Sequence, residues 1–300
     1  MSVLNAIIEY VKEIRYNIGF LENDLQSVID GDPIKVNWLK HPYKNRWFAD
    51  PFILDVSEDE IIVLVEEWYD PIKRGRISKL IIDRHSYELK DLKVMIDEGF
   101  HMSFPAITRK SDGIYIQPEC GLTRGLVEYK YDVKKDKFEK VRMISDLPLA
   151  DSVRNDLFGE DLMFSTKLPD ANGKELGIYS WDETIQQYQV REYYHFEENI
   201  SRMAGNFFKY NDRLYRPAQV CIKLYGDAVS LQEVSYDNMK WEFNEIRRIY
   251  SPHPDYDLGF HTFNVYGGQI VVDAVGYRKA KLCRFIRNLK KKVLSRGYIE

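Results

Sequence analysis

The acidic residues at the edges of apolar runs are the ones whose types could do chemistry in this chain. Asp50 lies in FADPFILD, Glu66 and Glu67 close IIVLVEEW, and Glu119 ends IYIQPE. Asp151 sits in LADSV and Asp273 in QIVVDA. Carboxylates brought close together repel, so at least one of them must keep its proton. A protonated acid beside an ionised one is what chemistry at a glycosidic bond needs. One assists the leaving oxygen, and the other serves as base or nucleophile. Trp47, Phe48, Trp68 and Phe104 neighbour these acids in sequence and suit the apolar faces of sugar rings. Asp followed by Pro is also ordinary turn chemistry, so Asp50 by itself says little.

Whether such distant residues can meet depends on the elements that carry them. Five segments align: FADPFILD (48–55), SFPAITRK (103–110), LADSVRND (149–156), RMAGNFFK (202–209) and GFHTFNVY (259–266). Counted from Ala49, Phe104, Asp151, Ala204 and Phe260, the steps are 55, 47, 53 and 56 residues. A polar turn and a second apolar run follow each segment, and further strand-like stretches such as RISKLIIDR and LGIYSWD lie between them. Short strands at regular spacing predict an all-β protein, a five-bladed β-propeller rather than an irregular β-sandwich. The innermost strand of each blade then lines a central channel. Residues about one repeat apart in sequence become neighbours in space.

On that reading Asp50, Glu119 and Asp151 converge at one end of the channel as catalytic candidates. Trp47, Glu67, His101, Arg216, Gln219, His261 and Asp273 surround them as substrate-binding candidates, with Arg202 nearby. Glu66 and Glu67 are adjacent, so only one can face the channel. Glu67 is assigned there. Arg216 would also serve simply to neutralise a channel carboxylate, and His261 to fill a buried polar niche.

Composition sets the limits. The chain has 300 residues, is 44% hydrophobic and 14% aromatic, and holds 21 Tyr and 15 Phe, enough for a large core rich in strands. A net charge of −4 gives no reason to expect a nucleic-acid partner. Cys120, Cys221 and Cys283 are far apart and in no metal-ligand spacing, as for reduced thiols in a cytoplasmic protein. Glu9, Lys12 and Glu13 interrupt the first apolar run before it reaches signal-peptide length. No window approaches the roughly 18 apolar residues of a membrane span.

ADPF (49–52), EEW (66–68), FPAI (104–107), PE (118–119), RPAQ (216–219), YGDAVSLQEV (225–234) and HTFNV (261–265) carry a resemblance. They resemble the five-bladed propeller superfamily of glycoside hydrolases, which includes the arabinanase/β-xylosidase and invertase/levansucrase groups. Within it they are most similar to the N-terminal domain of plant glucosamine inositolphosphorylceramide transferases and its bacterial relatives in polysaccharide-biosynthesis clusters. The likeness spans positions 35 to 275. It implies Asp50 as base or nucleophile and Asp151 as the residue tuning the acid, with Ser152 where relatives carry Pro. It implies Glu119 as the acid, Glu119-Cys120 being similar to the Glu-Cys pair of invertase-like proteins, with Glu67 as its rival. It further implies a carbohydrate-active protein of polysaccharide or glycolipid biosynthesis. The alternative is a non-catalytic glycan-binding module serving a partner glycosyltransferase. Some members of that superfamily hold a channel Ca²⁺, but no spacing here demands a metal or any other cofactor.

The two ends complete the expected organisation: an N-terminal helical or strand extension over 1–35, the five-bladed propeller over 36–276 and a basic amphipathic helical tail over 277–300. Ala6, Ile7, Val11 and Ile14 have the spacing of a helix. RKAKLCRFIRNLKKKVLSRG (278–297) carries nine Lys or Arg and no acid. Leu282, Phe285, Ile286, Leu289 and Val293 form its apolar stripe. Such a helix suits either docking on the propeller or contact with an anionic membrane surface.

Overall fold

Among the described residues twenty strands make five antiparallel four-stranded sheets arranged as the blades of a propeller. The computed structural model describes residues 10–121 and 125–286. Blade one runs outward through Arg46–Val56, Glu60–Tyr69, Arg74–Asp83 and Leu89–Ile96. Blades two, three and four begin their inner strands at Ile107, Leu149 and Phe208. Blade five is composite. Gly259–Tyr266 and Gln269–Tyr277 form its inner half, and Ile14–Leu21 and Val36–Trp38 its outer half. Ile14 pairs with Tyr277 and Phe20 with Val271, so hydrogen bonds between the two ends of the chain close the ring.

This corrects the reading of residues 1–35 as lying outside the repeats, because Ile14–Leu21 is a blade strand. Among the described residues helix is present over 10–12 before it, and Ile14 opens the strand instead of continuing the helix. The sequence IRYNIGFL, rich in aromatic and β-branched residues, favours a ladder partner over another helical turn. Ala6 and Ile7 lie outside the described residues. A six-residue helix, Leu25–Asp30, links the two outer strands of blade five, capped by Asp24 through the N–H of Ser27 (2.8 Å). At the far end the chain is helical over 280–286, with the rest of the expected tail helix outside the described residues. Among the described residues no helix is long and apolar enough to cross a membrane.

Burial follows strand position. RWFADPFILDV, innermost in blade one, is buried at all but its ends, whereas QYQVREYYH on the edge of blade three is mostly exposed or half-buried. Charged outer strands discourage edge-to-edge pairing. The apolar core lies between blades, not within them. One cluster joins residues of blades one to four, a second joins four to five, and a third joins five back to one. The ring is therefore closed by packing as well as by hydrogen bonds, and its rigidity fixes what the inner strands present to the channel.

Candidate active site

The site is built from one backbone device used repeatedly. Asp50, Phe104 and Asp151 all have left-handed backbone, with φ of +49°, +46° and +49°. Such conformations cost a non-glycine residue about 1–2 kcal/mol. The ladder slips beside them, between Ala49 and Phe52 in blade one and between Ala150 and Val153 in blade three. A bulge of this kind re-aims a side chain. The pairs Phe52–Leu64, Val153–Phe164 and Phe263–Val272 are equivalent, and two residues before each stand Asp50, Asp151 and His261. On the second strands, Glu66 faces Ala49, Glu119 faces Ser103, and Gln219 donates its N–H to Arg202 (2.8 Å). Glu66, Glu119 and Gln219 thus share one repeat position. The true equivalents are Asp50, Phe104, Asp151, Met203 and His261, one residue away from the sequence count in three of the units.

Asp50, Glu66, Glu119, Asp151, Arg202 and His261 line one cavity of about 360 Å³ at the channel mouth. Tyr16, Trp47, Trp68 and Tyr225 wall it, with His101 at its rim. The Asp50 carboxylate accepts the Phe104 N–H (3.1 Å) and meets His261 Nε2 at 3.3 Å. His261 Nδ1 lies 2.7 Å from Asp273, which also accepts the backbone N–H groups of Asp50 (2.8 Å) and Thr262 (3.0 Å). Asp273 is fully buried behind the histidine. On the other side, Asp151 accepts from Arg202 (2.5 Å) and Gln219 (2.6 Å). Glu119 accepts from Arg202 and from the Asp151 N–H, both at 3.2 Å. Gly75 makes room for Glu66, since a Cβ there would lie 2.3 Å from its Oε1. Among the described residues that oxygen is buried with no hydrogen-bond partner, and His101 Nε2, an imidazole that burial and Arg74 hold below its usual range, stands 3.8 Å away.

Five carboxyls in this volume face two cations, Arg202 and His261. All five cannot be ionised together. Burial, opposed by His261, pushes Asp50 up to about 7. Burial and the Asp151 charge push Glu119 up to about 8, with Arg202 opposing. Burial and the surrounding acids hold Glu66 well above its usual range. Burial alone would lower His261, but Asp273 and then Asp50 hold it up to about 9. The mouth therefore combines neutral acids with an aspartate paired to a cationic imidazole.

Asp50, His261 and Asp273 place ligand-type atoms within 4.8 Å of one another. The set does not fit Ca²⁺, which takes about six to eight oxygen ligands. Both imidazole nitrogens face carboxylates, and both Asp273 oxygens accept N–H groups. The three residues form a hydrogen-bonded chain.

The remaining candidates divide between the cavity wall and the surrounding core. Trp47 stacks on Trp68 with ring centroids 5.4 Å apart and planes 2° from parallel. Gln219 steadies Asp151 from behind. Glu67 is turned away from the channel: it is fully buried against Arg46 (2.7 Å), Arg76 (2.9 Å) and Ser78 (2.6 Å). Strand alternation gives the channel to Glu66. Arg216 is also outside the site, three residues from Gln219 and so on the opposite face. It is fully buried, bonded to Gln232 (2.7 Å) and the Ser201 carbonyl, with its guanidinium near the rings of Phe196 and Phe243. Tyr16 and Tyr225 are lining residues that sequence reasoning missed. Tyr16 comes from the closing strand, which carries no repeat signal, whereas Tyr225 opens the YGDAVSLQEV stretch.

The family described as "Glucosamine inositolphosphorylceramide transferase 1, N-terminal" matches residues 36–254. The chain belongs to this family. Relatives named glucosamine inositolphosphorylceramide transferase 1, from Oryza sativa subsp. japonica and Arabidopsis thaliana, are each 25% identical, over 214 and 217 residues. The matches cover 68% and 69% of this chain and 28% of each relative, so the chain spans well under half of those proteins. Among solved structures, a thermostable family-43 glycoside hydrolase superposes with a TM-score of 0.53 at 12% identity, covering 77% of this chain and 89% of that one. A family 117 glycoside hydrolase from Zobellia galactanivorans gives 0.51 at 10% identity, covering 88% and 91%. At such identities the likeness speaks for the five-bladed fold.

Proposed function

We propose that the propeller binds a glycan at the channel mouth and performs acid–base chemistry on it, in the synthesis or processing of a glycolipid or polysaccharide. The observation carrying this reading is the juxtaposition of neutral acids and an imidazole-paired aspartate in one cavity walled by aromatic rings. Asp50 acts as base or nucleophile, its charge sustained by His261, which Asp273 orients. Glu119 acts as the proton donor, positioned by Arg202 and the Asp151 N–H. Glu66, with its free oxygen, binds a sugar hydroxyl or competes with Glu119 for the donor role. Trp47, Trp68 and Tyr16 present rings to the apolar faces of the sugar.

A second reading has its own support. The curated relatives are named as transferases and extend far beyond the matched segment. The propeller would then hold a glycan for a partner glycosyltransferase without changing it. We also propose work at the cytoplasmic side of a membrane, since Leu282, Phe285 and Ile286 are exposed beside Lys281 and Arg284 on the C-terminal helix.

The test is a panel of reducing-end-labelled oligosaccharides and aryl glycosides, scored for binding and for product release by the wild-type protein. A glycan class that is both bound and turned over supports catalysis. Binding without turnover favours the presenting module, and absence of both refutes the sugar-site reading.

A further inference from the structure

Beside the acidic mouth, and sharing Tyr16 and Trp47 as a common wall, runs a second cavity of about 630 Å³ with the opposite charge. Arg15, Lys44, Arg46, Arg278, Lys279 and Lys281 line it, and Asp255 is the one acid among its lining residues. The arginines are already committed. Arg15 and Arg278 both bind Glu13 and Asp70 at 2.6–3.2 Å, and Arg46 binds Glu67 at 2.7 Å. Asp255 is taken by Arg284 at 2.6 Å. Lys44, Lys279 and Lys281 are exposed, and none of them forms an ion pair among the described residues. His41 Nδ1, in the same groove, is buried and meets no hydrogen-bond partner among the described residues.

A net-positive groove with three unspent ammonium groups attracts a compact anion. The carboxylates next door repel the same anion. A ligand that is neutral at one end and anionic at the other can therefore lie across the Tyr16–Trp47 wall in only one direction. We infer that the groove binds the phosphate of a phosphorylated sugar, whose sugar ring enters the carboxylate cavity. This rests on the sugar-site reading and specifies its substrate class. The phosphate has two conceivable sources: a soluble sugar phosphate or sugar nucleotide, or the headgroup of a glycolipid. The exposed Leu282, Phe285 and Ile286 adjoin the groove through Leu282, which also lines it, and suit the lipid source.

The experiment measures inorganic pyrophosphate binding by calorimetry, and association with phosphatidylcholine vesicles made with and without phosphatidylinositol. Pyrophosphate should bind the wild type and Asp50→Asn equally, because it needs only the groove. The triple variant Lys44→Ala, Lys279→Ala, Lys281→Ala should lose roughly a hundredfold in affinity, the effect of removing three lysines near an anionic surface, with an unchanged Tm. Added salt should weaken wild-type binding. Vesicle binding that requires phosphatidylinositol and is displaced by pyrophosphate assigns the lipid source. Pyrophosphate binding without vesicle binding assigns the soluble one. No pyrophosphate binding by the wild type, or undiminished binding by the triple variant, overturns the proposal. Loss of glycan turnover in Asp50→Asn is read separately, so the sugar site and the phosphate groove can fail independently.

Discussion

Glu66 and Glu67 are consecutive residues on one strand of blade one, both buried, yet their surroundings differ in every respect. Glu67 is met by two arginines and a serine hydroxyl from the strands on either side of its own. Glu66 points into the channel mouth, where one oxygen has no partner among the described residues and the other channel carboxyls oppose its ionisation. The same division recurs in blade two. Glu128 is clasped by Arg154 and by Arg142 (3.2 Å), whereas Glu119 shares a single arginine with Asp151. Acids facing into a blade are neutralised and hold sheets together, and acids facing the channel are left under-compensated. That imbalance costs stability, and such costs concentrate where function requires them.

The largest effect that would sharpen this contrast is on the neutralised side. Glu67→Ala strands Arg46 and Arg76 against buried surface, and breaking a buried pair in this way costs about 3–5 kcal/mol. Urea denaturation should show that loss, while Glu66→Ala should show a far smaller one. Equal losses would erase the distinction between the two acids.

A smaller effect of opposite sign is expected in the channel. Glu66 has a folded-state pKa raised above 4.5, so its stabilising protonation is complete below that value and is lost as pH rises. Glu66→Gln keeps the shape without the charge. It should raise Tm at about pH 8 by of order 2–4 °C, the size of about 1 kcal/mol in a domain this large, and leave Tm unchanged below about pH 4. A variant less stable than wild type at alkaline pH would break the comparison.

The smallest shift concerns rate against pH. Asp50, raised to about 7, must lose its proton to act as base, and Glu119, raised to about 8, must keep its own to act as acid. Turnover should therefore rise through the first value and fall above the second, giving a narrow bell. A profile flat from about pH 5 to 9 would exclude this pair of roles.

Much of this architecture was legible in the sequence. Turn residues and apolar runs recur because each blade repeats one strand–turn plan, and matching positions of a propeller must meet at the channel. That is how Asp50, Glu119 and Asp151 could be gathered from three separate segments. The choice between Glu66 and Glu67 was not legible. Bulges beside Asp50 and Asp151 interrupt strict alternation, and a slip of one residue reverses which side chain faces the channel. Counting the repeats from Ala49 instead of Asp50 makes that slip. Arg216 misleads for a related reason: it lies three residues from Gln219, and its partners are carbonyls and rings that no local motif announces. Tyr16 is hidden because the strand completing blade five comes from the opposite end of the chain.

In the proposed function the under-compensated channel acids perform proton transfer on a bound sugar. Asp50→Asn tests it most directly, because it preserves shape and hydrogen bonding while removing the base. Turnover and affinity should be measured side by side on the tightest-binding glycan. Turnover should fall by about 100-fold or more, with affinity changed by no more than about threefold. A variant that turns over the glycan as fast as the wild type would contradict it.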